Sequence, residues 1–398
     1  MIDTKFQTTS GNYQLQRYPI NKKETLRAWD AADEYLLQHL AENKLLKDDA
    51  SVLIVNDGFG ALAVSLNACH PVVMTDSYLS MQSITSNLES NNLESDLITV
   101  TDSLAQLEDV FKNSVDVVLI KTPKSLAMLE DQLHRIRPVL DSSTIIIAAA
   151  MTKHIHMSTM EIFEKIIGST HTSKARKKAR LIFCKVDMNL SVSDNPYPKS
   201  YALPYKLDDV EIVMKNHAAV FSQEKLDLGA RFFIENLPVS EQYETILDLG
   251  CGNGVLGVIA AIKNPSAKVI FTDESYMAVE SSITNFVSVF DDSREAEFLQ
   301  TDCLQGIDDE SVSLILCNPP FHQNNAINDN VAWQMFSESL SALNDKGELW
   351  VIGNRHLAYH AKLKRIFGNC EIIASNKKFV IHKSVKQSKV KQVAQDEM

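Results

Sequence analysis

Apolar residues recur along this chain in two rhythms, and the rhythms alternate. Residues 24–43 place Leu26, Trp29, Ala32, Tyr35, Leu36, Leu37 and Leu40 at helical spacing, which predicts an amphipathic helix. Short apolar runs follow at Ser51–Val55, Val72–Met74, Leu97–Val100, Val115–Ile120 and Thr144–Ala149, each long enough for a strand. Helical runs at Ala61–Cys69 and Leu126–Arg137 stand between them. The order then restarts. Strands are predicted at Ile246–Leu249, Lys268–Thr272, Ala296–Gln300, Val312–Cys317 and Glu348–Ile352, with helices from about Val255 and over Gln334–Leu343. Strands alternating with helices predict an α/β fold on a parallel sheet.

The two halves keep step. Gly252 follows Gly58 by 194 residues, Asp273 follows Asp76 by 197, Thr301-Asp302 follows Thr101-Asp102 by 200, and Val312 follows Val115 by 197. Unrelated α/β sequences do not hold such register over about 60 residues, so an internal duplication is expected. Three prolines in polar surroundings between Ser191 and Leu207 predict a linker. The expected organisation is a first domain over 1–190, a linker over 191–206 and a second domain over 207–398.

Composition narrows the class. The 398 residues are 45% hydrophobic, ordinary for two globular domains. No apolar run approaches the roughly 20 residues of a membrane span. Met1–Lys5 has no charged segment followed by an apolar one, so no secretory signal is expected. The six cysteines form no C-x-x-C pair, which argues against a zinc site or a disulfide framework and for the reducing cytoplasm. Net charge is −12, which argues against a nucleic-acid partner until its distribution is seen. Between Asn354 and Gln392 stand Arg355, Lys362, Lys364, Arg365, Lys377, Lys378, Lys383, Lys386, Lys389 and Lys391, opposed only by Glu371. A second cluster is Lys174, Arg176, Lys177, Lys178 and Arg180. One such run is usually a solvated face; two in an acidic chain make a phosphate-tracking surface an equal alternative.

The candidate chemistry lies in the second half. Asp248-Leu249-Gly250-Cys251-Gly252-Asn253-Gly254 follows a predicted strand and opens a predicted helix. Glycines let the backbone turn tightly and approach a ligand, and the helix start offers unpaired N–H groups. Asp273 ends the next strand, placed to accept from ribose hydroxyls. This much suits any adenosine-bearing cofactor, a dinucleotide included. Three details favour S-adenosylmethionine. Asp248 would repel a pyrophosphate but attract the ammonium of a methionyl group. Asp302 and Cys303 close the third strand, where a carboxylate can accept from the adenine amine. Asn318-Pro319-Pro320-Phe321 follows the apolar strand Val312–Cys317, at the carboxyl edge of the sheet. Prolines fix a rigid shape there. The Asn318 oxygen and the Pro319 carbonyl can hold a planar amine with its lone pair facing a methyl donor, and Phe321 offers a face for a flipped base. Taken alone the tetrapeptide could be a plain turn; after a glycine turn and two acidic strand ends it reads as the catalytic element.

The first half lacks these groups. Ile54 stands in the place of Asp248 and Asn56 in that of Gly250. Lys121-Thr122-Pro123-Lys124 replaces Asn-Pro-Pro-Phe, removing the amide acceptor and the ring. Gly58, Gly60 and Asp76 remain, with no more than a fold role expected. His322 and Gln323 are either pocket residues or a loop cap. His154 and His156 have metal spacing but no nearby Cys or carboxylate, so they read as ordinary histidines and no metal site is expected. Phe221-Ser222 with Leu226–Phe233 reads equally as an N-capped core helix or a lid over the cofactor.

Over essentially its whole length the chain resembles the class I methyltransferases of the ribosomal RNA guanine-N2 type. The resemblance rests on Ala28–Leu37, Asn56–Leu62, Val220-Phe221-Ser222 with Leu226–Phe233, Cys317–Gln323, Asp329–Trp333 and Asn354–Leu357. The Ala230-Arg231-Phe232-Phe233 run and the chain length resemble the large-subunit enzymes more than the small-subunit ones. The resemblance implies two tandem Rossmann-like folds, the first degenerate and used to hold RNA. It also implies methyl transfer from S-adenosylmethionine to N2 of one guanine in 23S rRNA by a monomer. The alternatives are a 16S rRNA guanine-N2 enzyme, the same tetrapeptide acting on adenine N6 or a glutamine amide, and a non-catalytic ribosome-assembly factor.

Overall fold

The computed structural model describes residues 3–21, 24–207, 210–320 and 326–388. The chain separates into two compact units, Met1–Pro198 and Lys199–Met398.

The first unit opens with the hairpin β1 (Lys5–Gln7) and β2 (Asn12–Gln14), followed by α1 (Ala31–Glu42). Strands and helices then alternate: β3 (Val52–Val55), α2 (Ala61–Ser65), β4 (Val72–Thr75), α3 (Tyr78–Ser90), β5 (Thr99–Asp102), α4 (Leu107–Val110), β6 (Val117–Lys121), α5 (Leu126–Ile136), β7 (Ile145–Met151), α6 (Met157–Ile166), β8 (Thr170–Thr172) and β9 (Ala179–Lys185). The sheet order is β5-β4-β3-β6-β7-β9-β8, with only β9 antiparallel to its neighbours. Helix α1 is shorter than its apolar pattern. Asp30 caps it, accepting from Ala32 and Asp33 N–H, so Leu26 and Trp29 lie in the approach to the helix.

The second unit opens with the hairpin β10 (Lys199–Leu207) and β11 (Val210–Asn216), followed by α7 (Leu228–Glu235). Then come β12 (Thr245–Leu249), α8 (Val255–Lys263), β13 (Lys268–Asp273), α9 (Tyr276–Phe290), β14 (Ala296–Gln300), β15 (Val312–Cys317), α10 (Ala326–Ala342), β16 (Leu343–Asn354), α11 (Tyr359–Phe367), β17 (Glu371–Ser375) and β18 (Phe379–Val385). The order β14-β13-β12-β15-β16-β18-β17 repeats that of the first sheet, again with one antiparallel strand between the last two parallel ones. The parallel sheet expected is present in each unit, with one antiparallel strand added to it. Strand β10 begins inside the stretch 191–206 expected to link the halves, and the hairpin it forms packs into the second core through Leu203, Ile212 and Met214.

Central strands are buried on both faces, which is why they read as continuous apolar runs. In β12 and β15, Ile246, Leu314 and Leu316 pack with α7 and α8, while Leu247, Leu249, Ile315 and Cys317 pack with α10 and α11.

The ladders refine the duplication. Leu249 pairs with Thr272 and Val55 with Met74, so Thr75, not Asp76, holds the place of Asp273. The next ladder matches Thr101 to Leu299, two residues off the expected Thr301. A landmark absent from the sequence reading is clearer. Asn285 on α9 clamps the hairpin, accepting from Lys215 N–H and donating to Lys215 and Asn253 carbonyls. Asn87 on α3 accepts from Gln16 N–H and donates to Gln16 and Phe59 carbonyls. The repeated unit therefore includes its opening hairpin.

Candidate active site

The glycine turn joins β12 to α8 at the carboxyl edge of the second sheet. Gly250 and Cys251 N–H both donate to the Thr272 carbonyl, folding the turn over β13. Gly252 and Gly254 adopt φ of 57° and 75°, which disfavours other residues. Their surroundings differ. A Cβ on Gly254 would lie 2.8 Å from Ser282 Cβ, so that glycine seats α8 against α9. A Cβ on Gly252 would meet nothing within 4 Å, so that one faces open space.

Three carboxylates lie at the ends of neighbouring strands at this edge. Asp248 is 1% exposed and accepts from Gly257 N–H at 2.8 Å, bracing the first turn of α8. Burial pushes its carboxyl up to about 8; the Gly257 bond opposes the rise and Asp273 adds to it. Asp273 accepts from Gly252 N–H at 2.9 Å through one oxygen and from Ser275 N–H at 3.0 Å through the other. Burial raises it also, against these bonds. Asp302 is buried and accepts from Gln334 Nε2 at 3.1 Å. The same Gln334 amide reaches Glu338, which accepts from Leu304 N–H. Cys303 sits beside this group with φ of 50°, and burial raises its thiol. Cys251 is buried in a small aromatic core with Phe271 and Phe286, and burial raises its thiol too. Asn253 is turned inward: its amide donates to Tyr201 Oη and Asn216 Oδ1, tying the turn to the hairpin.

Asn318 follows β15 immediately, one strand over from the glycine turn, since Leu249 pairs with Cys317. Its Oδ1 is buried and has no hydrogen-bond partner among the described residues. Pro319 is buried and Pro320 exposed. Phe321, His322 and Gln323 lie outside the described residues. Tyr201, Asn216, Gln334 and Glu338 were missed by sequence reasoning. Tyr201 fell in the supposed linker, and the others carry no motif.

Helix α7 is an N-capped core helix. Asp227 accepts from Gly229 and Ala230 N–H, and Phe233 and Ile234 are buried.

Residues 3–188 match the family described as RLMG N-terminal domain, and residues 211–383 match Methyltransferase small domain. Ribosomal RNA large subunit methyltransferase G of Streptomyces griseus subsp. griseus is 45% identical, covering 96% of this chain and all of that one. The proteins of that name from Colwellia psychrerythraea and Yersinia pestis are 46% and 47% identical, each covering 94% of this chain and 97% and 92% of their own. The chain belongs to the ribosomal RNA large subunit methyltransferase G family. In fold it is similar to a T. thermophilus 16S rRNA N2 methyltransferase solved with AdoMet and guanosine, with a TM-score of 0.73 at 18% identity over 96% of this chain and 98% of that one.

In this family member the first unit carries a similar turn whose helix start is capped from within. Asn56, at φ of 63°, takes the place of Gly250 and donates to Gln132 and the Lys121 carbonyl. Asp57 follows it, 1% exposed, and accepts from the N–H groups of Gly60, Ala61, Leu62 and Ala63. The helix start that could receive an anionic ligand is thus occupied by the chain's own carboxylate. Lys121 stands where Asn318 does. Its ammonium is 2.9 Å from Asp30 and 2.5 Å from Asp33. Burial pushes Asp33 up to about 6 despite Lys121, and burial also raises Asp57.

The structure also sorts the basic clusters. Arg176 and Lys177 pair with Glu42 and Glu34 on α1. Lys383 pairs with Glu348 and Glu371, and Lys386 with Glu310. Lys174, Lys178, Arg180, Lys364 and Lys377 form no ion pair among the described residues. Lys389 and Lys391 lie outside them. Among the described residues no helix is long and apolar enough to cross a membrane.

Proposed function

We propose that this protein transfers the methyl group of S-adenosylmethionine to the exocyclic N2 of a guanine in 23S rRNA, with the second unit as its active site. One observation carries the reading. Asn318 Oδ1 is a buried acceptor with no hydrogen-bond partner among the described residues, beside a turn whose Gly252 faces open space. A buried amide oxygen left unpaired costs about 1–3 kcal/mol, and an arriving amine would remove that cost.

The residues fit the cofactor. Asp273 already accepts from backbone N–H groups of the turn and of the start of the next helix, which hold its carboxylate facing a ribose hydroxyl. Asp302 keeps acceptor capacity for an adenine amine. Asp248, held largely protonated by burial at neutral pH, would ionise beside an ammonium. S-adenosylmethionine supplies a methyl on a positively charged sulfur, so the leaving group needs no activation. The protein's work is placement: Asn318 Oδ1 and the Pro319 carbonyl fix the amine, and orientation supplies much of the rate. Phe321 would stack on the flipped base. The first unit, with its exposed Lys174, Lys178 and Arg180, would hold RNA phosphates.

The family name of the relatives supports 23S rRNA as the substrate, and the guanosine bound by the T. thermophilus enzyme supports guanine N2. Incubation with methyl-labelled cofactor and separate samples of deproteinised 23S rRNA, 16S rRNA, DNA and protein tests this. Label in N2-methylguanosine from 23S rRNA is expected. Label in 16S rRNA or protein alone would overturn the substrate. Label nowhere, with no cofactor bound at millimolar concentration, would leave an assembly factor.

A further inference from the structure

A second buried amide oxygen at the same sheet edge has no hydrogen-bond partner among the described residues: Asn354 Oδ1, at the end of β16. Its backbone is used, because Asn354 pairs with Phe379 of β18. Its side chain is not: the short 3-10 turn at Arg355–Leu357 receives no side-chain cap from it. Buried amide oxygens are normally satisfied, so an unsatisfied one next to a proposed reaction centre needs a reason.

Its position supplies one. Cys317 pairs with Val351, so β15 and β16 run side by side and in parallel. Leu316 and Ile352 face the same core, and side chains alternate along a strand. Asn318 and Asn354, each two residues further on, therefore fall on one face of the sheet on adjacent strands. Their Cα positions are about 8 Å apart by standard strand dimensions. A flat base edge fits between two side chains at that spacing.

The duplicated unit acts as an internal control. Its ladder pairs Ile120 with Ala148, which places Met151 where Asn354 stands and Lys121 where Asn318 stands. The unit that has lost one of the two acceptors has lost the other as well.

Resting on the guanine-N2 reading, we infer that Asn354 is a second base-reading residue. Its side-chain oxygen accepts from guanine N1–H while Asn318 holds the N2 amine. Guanine presents two adjacent donors on this edge, N1–H and the 2-amino group. Adenine presents an acceptor at N1 and no 2-amino group, so two convergent acceptors select guanine. This also separates the base from 2,6-diaminopurine, which keeps the 2-amino group but has an acceptor at N1.

The test uses the full-length protein and a 23S rRNA fragment that it methylates, carrying guanine or 2,6-diaminopurine at the target. Wild type is expected to prefer guanine by about 10- to 100-fold in kcat/KM, the range of one good base contact. Asn354→Leu is expected to lower kcat on guanine by a similar factor and bring the preference close to one. Cofactor affinity should stay the same, and thermal stability should not fall, because the lost oxygen has no hydrogen-bond partner among the described residues. Asn354→Asp keeps an acceptor and should keep the preference. Asn354→Ser carries the same test if the leucine variant is insoluble. A wild-type preference near one, or an unchanged preference in Asn354→Leu, would overturn the proposal. A drop in stability with the preference intact would also overturn it, by showing a structural role. If wild type methylates guanine N2 while Asn354→Leu behaves like wild type, only this inference falls. If wild type places no methyl on guanine, the functional reading falls with it.

Discussion

Lys121 and Asn318 occupy one position in two copies of one fold, at the end of the strand next to the glycine turn. The lysine is satisfied by Asp30 and Asp33, and the start of the neighbouring helix by Asp57. The asparagine oxygen has no hydrogen-bond partner among the described residues, while the space over the turn is alike in the two units, since a Cβ on Gly58 or on Gly252 would meet nothing within 4 Å. In the first unit the side chain at this position is paired within the chain, although Thr122 Oγ1 beside it is buried without a hydrogen-bond partner among the described residues. A working site keeps groups that only a ligand completes, as expected where function overrides local satisfaction.

The comparison predicts a double dissociation. Asn318→Ala removes an acceptor that has no hydrogen-bond partner among the described residues. Methyl transfer should fall at least about 100-fold, as when one preorganised group is lost from an active site. Cofactor affinity and melting temperature should hold, measured by calorimetry and thermal unfolding. Loss of cofactor binding would show that Asn318 is misassigned. Lys121→Met does the reverse. It strands the buried Asp33 carboxylate and should cost about 3–5 kcal/mol of stability in denaturant titration, with turnover per folded molecule unchanged. A stable variant, or one with impaired chemistry, would break the contrast.

Two smaller effects sharpen it. Asp248 is held neutral up to about pH 8 by burial, and ionising it is favoured by a nearby ammonium. Cofactor binding near neutral pH should therefore release a proton and tighten as pH rises toward 8. Asp248→Asn should flatten that profile and lower affinity about tenfold, the size of one partly screened charge pair. The profile is read by calorimetry in buffers of different ionisation heat; no proton release from wild type would contradict it. Stability carries the opposite sign. A carboxyl whose folded pKa is raised loses stability as pH climbs from its ordinary value near 4 toward 8. Smallest is the glycine pair. Gly252→Ala strains a φ of 57° and puts a methyl into the open space, costing about 1 kcal/mol of stability and much of the cofactor affinity. Gly58→Ala meets nothing within 4 Å and has no left-handed φ, so stability should stay within about 0.5 kcal/mol.

Much of this architecture was legible in the sequence because buried parallel strands are apolar throughout. Val52–Val55 and Val312–Cys317 could hardly be anything else. Other elements hid for identifiable reasons. Helix α3 is rich in Ser and Asn, whose side chains compete with the helix backbone, and only its burial in the fold decides it. Strand β18 carries Lys383, neutralised by Glu348 and Glu371 from neighbouring strands, a pairing no local pattern displays. Strand β10 was obscured by Pro204 and by the two prolines just before it, and most of it was read as a linker. At the site, the glycine turn and Asn318 were legible because their chemistry is local. Tyr201, Gln334 and Asn354 were not, because their meaning comes from the strands and helices beside them. Asn354 stood within a recognisable string, yet only its missing partner marks it out.

The stoichiometry of cofactor binding tests the central claim most directly. Isothermal titration of the full-length protein with S-adenosylmethionine should give one site per chain, and Gly252→Leu should remove it. Two sites per chain, or one that persists in Gly252→Leu, would contradict the claim that only the second unit keeps a working pocket.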